Sequence, residues 1–166
     1  VRTAQVRRWL TCVLEFKDIR RTIMKPHRYT ELFFLDEVTA LAAGHRPCCE
    51  CRHQAYQTFQ SYWRDVVSAQ AGADDMDRTL QADRRLRGGG KRTFQAWCED
   101  LPAGTFIGQG DVAWLLRGDQ LLRWTPSGYA ERRARPNELV TVLTPRSTVA
   151  LLRAGYVPGV HSSAGV

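Results

Sequence analysis

The amino-acid sequence predicts an α+β fold: a treble-clef-like cysteine knuckle set among helices, then a small antiparallel β-rich half and a C-terminal helix. Three observations predict it. Cys48, Cys49 and Cys51 crowd together directly after a helix stop and directly before a helix start. The stretch 52–70 repeats apolar residues at three-four spacing, as a core-facing helix does. The second half breaks into short apolar runs separated by Gly, Asp and Pro. A knuckle and helical region over 1–87 and a β-rich region over 88–166 are expected to pack as one unit.

The elements follow in chain order. RRWLTCVLEFKD (7–18) alternates and reads as a strand, with Cys12 on its more apolar side. IRRTIMKPHRYT (19–30) reads as a basic loop, and ELFFLD (31–36) as a short apolar strand. Asp36 caps a short helix with Glu37 in its first turn, and Gly44 ends it, with Pro47 three residues later. The helix from Arg52 carries Ala55, Tyr56, Phe59, Tyr62, Trp63, Val66 and Val67 as its apolar stripe. A weaker helix runs from Asp74 or Asp75 to about Arg87, and RLRGGGKRT reads as a flexible basic linker. It is not a P-loop, because Lys91 is followed by Arg92 rather than Ser or Thr.

GTFIG, DVAWLLRG, QLLRWTP and ELVTVLT read as four strands, with RGDQ as a hairpin turn. Thr144 as N-cap and Pro145 at the first helical position start the last helix. VTALAAGHRP (38–47) and VALLRAGYVP (149–158) form an internal echo: helix, Ala-Gly, and a Pro three residues after the Gly.

Composition limits the function classes. The net charge is +7, carried by 21 Arg and only 3 Lys. Arginine grips phosphate with a bidentate fork and stacks on bases, so nucleic acid is the expected partner. No apolar run approaches the roughly 20 residues that span a bilayer, so no membrane partner is expected. No signal peptide stands at the N-terminus, which predicts a cytoplasmic location. In a reducing compartment, clustered cysteines point to metal rather than disulfides.

Cys48 and Cys51 form C-x2-C, a spacing at which two thiolates grip one Zn²⁺ in a tight turn. The helix starting at Arg52 favours a thiolate at its N-terminus. Cys12 is the expected third ligand. His53 is the expected fourth, with His45, Cys49, His27 or a residue upstream of Val1 as alternatives. Arg20, Arg21, Arg46, Arg52, Arg85, Arg87, Lys91 and Arg92 are the candidate phosphate contacts. Cys98 stands apart as an ordinary thiol.

LFFLDEVTALAAGHRPCCECR resembles the second half of the zinc module of Ada-type DNA alkylation-response proteins. The match falls on Ala43, Gly44, Arg46, Pro47, Cys48, Cys51 and Arg52, with His45 in an aromatic slot, and covers roughly 20 residues. That resemblance implies a zinc site and a DNA-associated role. The Ada module carries an upstream Cys-x3-Cys pair, whereas Cys12 is the one upstream cysteine here, so methyl-acceptor chemistry is not assigned. The chain is also similar to a group of uncharacterised bacterial proteins, from which no function carries over.

The leading expectation is a zinc-stabilised nucleic-acid-binding protein. One alternative is an enzyme acting on nucleic acid through a Cys thiolate near His45 or His53, or through zinc-bound water. No H-x-E, HExxH or G-x-S-x-G motif supports it, so the reading leans against catalysis and names no catalytic residue. The other alternative is a protein-interaction module with a purely structural zinc, favoured if Trp97, Trp114 or Trp124 is exposed.

Overall fold

The computed structural model describes residues 6–17, 19–20 and 32–165, with backbone alone at 19–20. The fold is α+β: the described residues form four α-helices and a six-stranded antiparallel sheet, with the last α-helix near the C-terminus. No helix among the described residues is long and apolar enough to cross a membrane.

The predicted N-terminal strand is broken. β1 covers Leu10–Thr11 and β2 covers Glu15–Phe16, which pairs with β3, Ile19–Arg20. Cys12, Val13 and Leu14 between β1 and β2 are exposed. Residues 32–36, expected as a strand, are irregular; Phe34 packs edge-on against His45 while Leu32 and Phe33 face outward.

α1 is Glu37–Ala42, capped as expected: the Asp36 carboxylate accepts from Thr39 N at 2.9 Å. It ends with two reciprocal bonds, Gly44 N to Leu41 O and His45 N to Ala40 O. Gly44 has φ +87°, and a Cβ there would lie 2.6 Å from the Arg84 side chain, so both conformation and space demand glycine. β4, Arg46–Pro47, then pairs parallel with β1.

α2, His53–Val66, buries Tyr56, Phe59 and Trp63, with Tyr62 and Val67 packed against them; Val66 is exposed. α3, Ala73–Arg84, stops earlier than predicted. The expected linker is a hairpin, with Arg85 bridged to Lys91 and Gly89 N bonded to Leu86 O.

The sheet contains β5 Phe94–Trp97, β6 Phe106–Gln109, β7 Val112–Arg117, β8 Gln120–Thr125, β9 Gly128–Ala134 and β10 Leu139–Val142. Their order is β5-β10-β6-β7-β8-β9, so β10 returns to lie between β5 and β6. The turn in RGDQ forms as predicted, with Gly118 at φ +60° in a two-residue loop. β5 and β9 were not expected. GYAERRA is too polar to read as a strand, yet it pairs with β8 along one edge, where only one side is covered.

α4, Arg146–Arg153, follows Pro145, but Thr144 does not cap it. The Thr144 hydroxyl accepts from Phe106 N at 2.8 Å, and Asp83 accepts from Ser147 N at 2.9 Å. The internal echo is physical. α4 ends like α1, with Gly155 N to Leu152 O and Tyr156 N to Leu151 O, and the residue after each glycine is buried.

The two halves share their interior. Leu151, Leu152 and Tyr156 pack with Leu41, Phe59, Trp63, Met76 and Leu80, while Val38 and Ala42 pack with Phe106, Leu115 and Leu122. Asp36 and Glu37 tie the halves together. Asp36 accepts from Tyr129 OH at 2.8 Å and His161 N at 3.0 Å. Glu37 accepts from Tyr156 OH at 3.2 Å and pairs with Arg52 at 3.2 Å.

Candidate metal centre

The helix stop at Gly44 turns the chain into β4, and β4 is held against β1 by Arg46 N to Trp9 O and Cys48 N to Thr11 O, each 3.1 Å. Cys12 is the next residue after Thr11, so this register delivers its thiol to Cys48. The knuckle then closes on itself, with Arg52 N bonded to Cys48 O at 3.1 Å, and α2 begins. The sulfurs of Cys12, Cys48 and Cys51 all lie within 4.8 Å of one another. Around a tetrahedral Zn²⁺ with Zn–S of about 2.3 Å, sulfurs stand about 3.8 Å apart, so the donor set fits a thiophilic ion with a small contraction.

The environment of the sulfurs is asymmetric. Cys48 is buried and Cys51 half-buried, while the Cys12 residue is exposed. Burial alone would raise the Cys48 thiol, but the backbone N–H groups of Cys51 and Glu50 point at its sulfur and bring it below the usual thiol range. Cys12 is pushed up to about 12, first by desolvation and then by the neighbouring Cys48 and Cys51. Three thiols this close cannot all ionise alone; a divalent cation among them removes that repulsion.

Among the described residues, His53, the expected fourth ligand, is not one of the grouped side chains. His53 is the first residue of α2, and its Nδ1 bonds the Cys49 carbonyl at 3.0 Å, outside the three-sulfur cluster. Cys49 is exposed and is not one of the grouped residues. His45 is a core residue: its ring lies 5.2 Å from Trp9 and 4.7 Å from Phe34, and burial holds it down to about 4. His27 lies outside the described residues. Among the described residues, no fourth Cys, His, Asp or Glu joins the cluster.

The candidate phosphate contacts divide sharply. Arg46 is buried and grips Asp77 with two bonds of 2.9 and 2.8 Å, so it is structural. Arg52 donates to Thr11 Oγ1 at 2.8 Å and pairs with Glu37, locking the knuckle to α1. Lys91 donates to the Ala42 carbonyl at 2.9 Å, at the end of α1; desolvation of its ammonium at that contact holds it down to about 8, although the residue as a whole is exposed. Arg84, the last residue of α3, lies 4.0 Å over the Trp9 ring and donates to Gly44 O and Arg7 O.

Arg85, Arg87 and Arg92 remain, half-buried or exposed, without an acidic partner among the described residues. Arg21 lies outside the described residues, as does the side chain of Arg20. Sequence reasoning missed Asp77 and Arg7. The signal for Asp77 was available, since Met76, Asp77, Leu80 and Arg84 share the buried face of α3. Trp114 is buried, Trp124 is partly covered and Trp97 is 50% exposed.

No family model matches the chain, and no curated protein or solved structure matches it.

Proposed function

We propose that this chain is a nucleic-acid-binding protein whose Cys12–Cys48–Cys51 site holds a structural Zn²⁺. The observation that carries the reading is the hairpin around Gly88–Gly90. It carries exposed Arg87 and half-buried Arg85, whose guanidinium lies beside Gly89, and Arg7 is tied beside it through Arg84; all three lack an acidic partner among the described residues. The surplus charge of +7 fits a polyanionic partner. Gly88 and Gly90 meet no other atoms within 4 Å of a built Cβ, so a phosphate backbone can approach the hairpin closely. The Ada-like segment around Cys48 and Cys51 supports the same reading.

Zinc suits the site because thiolates select soft or borderline ions and zinc needs no redox partner. Its role here is to join the β1 end to the knuckle at the start of α2, segments that lie far apart in sequence. No step of chemistry is assigned to it.

The test is a titration of labelled duplex DNA, single-stranded DNA and RNA by fluorescence anisotropy, between about 50 and 200 mM salt. Affinity is expected to fall steeply with salt. Arg85→Ala with Arg87→Ala should make the log–log slope on duplex DNA shallower by about 1.8, or 0.9 for each lost phosphate contact. Absence of binding at the lowest salt, or an unchanged slope in the double variant, refutes the reading.

A further inference from the structure

The two edges of the six-stranded sheet differ. β9 carries Glu131, Arg132 and Arg133, and its pairing with β8 is interrupted at Leu122/Trp124. Charges and bulges of this kind keep an edge from pairing with another strand. β5 has neither protection: from Thr93 to Trp97 it bears no charge, and among the described residues only β10 pairs with it.

The backbone groups of that edge can be assigned. Cys98 N bonds Glu138 O at 3.0 Å, and the ladder sets Trp97 opposite Leu139. In an antiparallel ladder, hydrogen-bonded pairs alternate. Ala96 and Phe94 therefore point their amides at β10, and Gln95 and Trp97 point theirs outward. On the sheet face, Trp97 and Leu139 form an apolar cross-strand pair, 50% and 56% exposed.

Charge is distributed along this strand with opposite signs at its two ends. Arg92 precedes β5 by two residues, and Glu99 and Asp100 follow it by two and three. All three side chains are exposed, without an ionic partner among the described residues. When a strand pairs antiparallel with its own copy about a two-fold axis, the start of each meets the end of the other.

We infer that β5 is a self-association edge, and that two copies of this chain pair there antiparallel with Ala96 on the two-fold axis. In that register Gln95 of one copy faces Trp97 of the second and exchanges backbone bonds with it. Trp97 then covers the flank of Gln95 on the same sheet face, and Arg92 reaches the end where Glu99 and Asp100 of the second copy stand. An unrelated anionic partner would meet Glu99, Asp100 and Glu138 around Trp97, and an unrelated basic partner would meet Arg92; a second copy answers both ends at once. The ladder spans four residues, about 13 Å, so the dimer is small and belongs with weak interfaces. The inference does not rest on nucleic-acid binding.

Sedimentation velocity on the metal-loaded chain, over a wide concentration series without nucleic acid, tests it. A reversible monomer–dimer equilibrium is expected. Gln95→Pro removes an outward amide and leaves the β10 ladder intact, so it should abolish dimer while circular dichroism stays native. Arg92→Asp should weaken dimerisation by on the order of tenfold or more, since symmetry repeats each lost contact, and Arg92→Asp with Asp100→Arg should restore most of it. A wild-type chain that stays monomeric overturns the inference, even if Gln95→Pro changes its binding to nucleic acid or another protein. So does a dimer indifferent to both Gln95→Pro and Arg92→Asp.

Discussion

Replacing Asp77 by Ala should be among the most damaging single changes in this protein. The Arg46 and Asp77 side chains are 2% and 3% exposed, and two parallel bonds of 2.9 and 2.8 Å join them. Removing the carboxylate leaves the guanidinium inside with the Pro47 carbonyl at 3.1 Å and the Tyr56 ring at 5.5 Å. An orphaned buried charge of this kind costs about 3–5 kcal/mol, a large part of the roughly 5–15 kcal/mol that holds a domain folded. With a urea m-value of about 2 kcal/mol/M, the denaturation midpoint should drop by about 2 M. Arg46→Met combined with Asp77→Leu should recover most of the loss, because apolar packing needs no desolvation of charge. Arg46 also leads directly into Cys48, so Asp77→Ala should release metal to a chelator faster than wild type. A loss below about 1 kcal/mol in Asp77→Ala would show that Arg46 finds other partners or water, and the buried-pair argument would fail.

Two further outcomes follow from the same geometry. Cys12→Ser, Cys48→Ser and Cys51→Ser should each lower the bound metal, measured by elemental analysis, together with thermal stability, whereas His53→Ala should keep full metal content because its ring bonds the Cys49 carbonyl instead. His45 is held down to about 4 from 6.5 by burial, so the unfolded chain takes a proton that the folded chain refuses between those values. Stability from this group is therefore complete above about pH 6.5 and falls by about 3 kcal/mol as pH drops to about 4; His45→Phe, filling the same aromatic cage, should remove that part of the acid slope in urea titrations.

Much of the helical grammar could be read directly. Asp36 caps α1, Gly44 and Gly155 stop two helices in the same way, and the α2 stripe buries Tyr56, Phe59 and Trp63. The third thiol, Cys12, was also found, although through the wrong local structure. The 7–18 alternation predicted one continuous strand, but the chain breaks at Cys12, and that break frees the thiol to turn toward Cys48 and Cys51. β5 and β9 were missed because edge strands need only one covered side, so their residues show little apolar alternation.

Hydrogen bonds that close within a few residues are written in the local order of amino acids. The Asp36 cap, the two glycine stops and the C-x2-C turn were therefore determined by the sequence itself, whereas Thr144, read as a cap, turns to Phe106 N instead. The fate of each cation was not. Arg46 finds Asp77 31 positions away, Arg84 finds Gly44 40 away and Lys91 finds Ala42 49 away, while Arg85 and Arg87 stay unpaired among the described residues. A guanidinium is satisfied or left free by whatever packing brings beside it, and only the tertiary structure decides that.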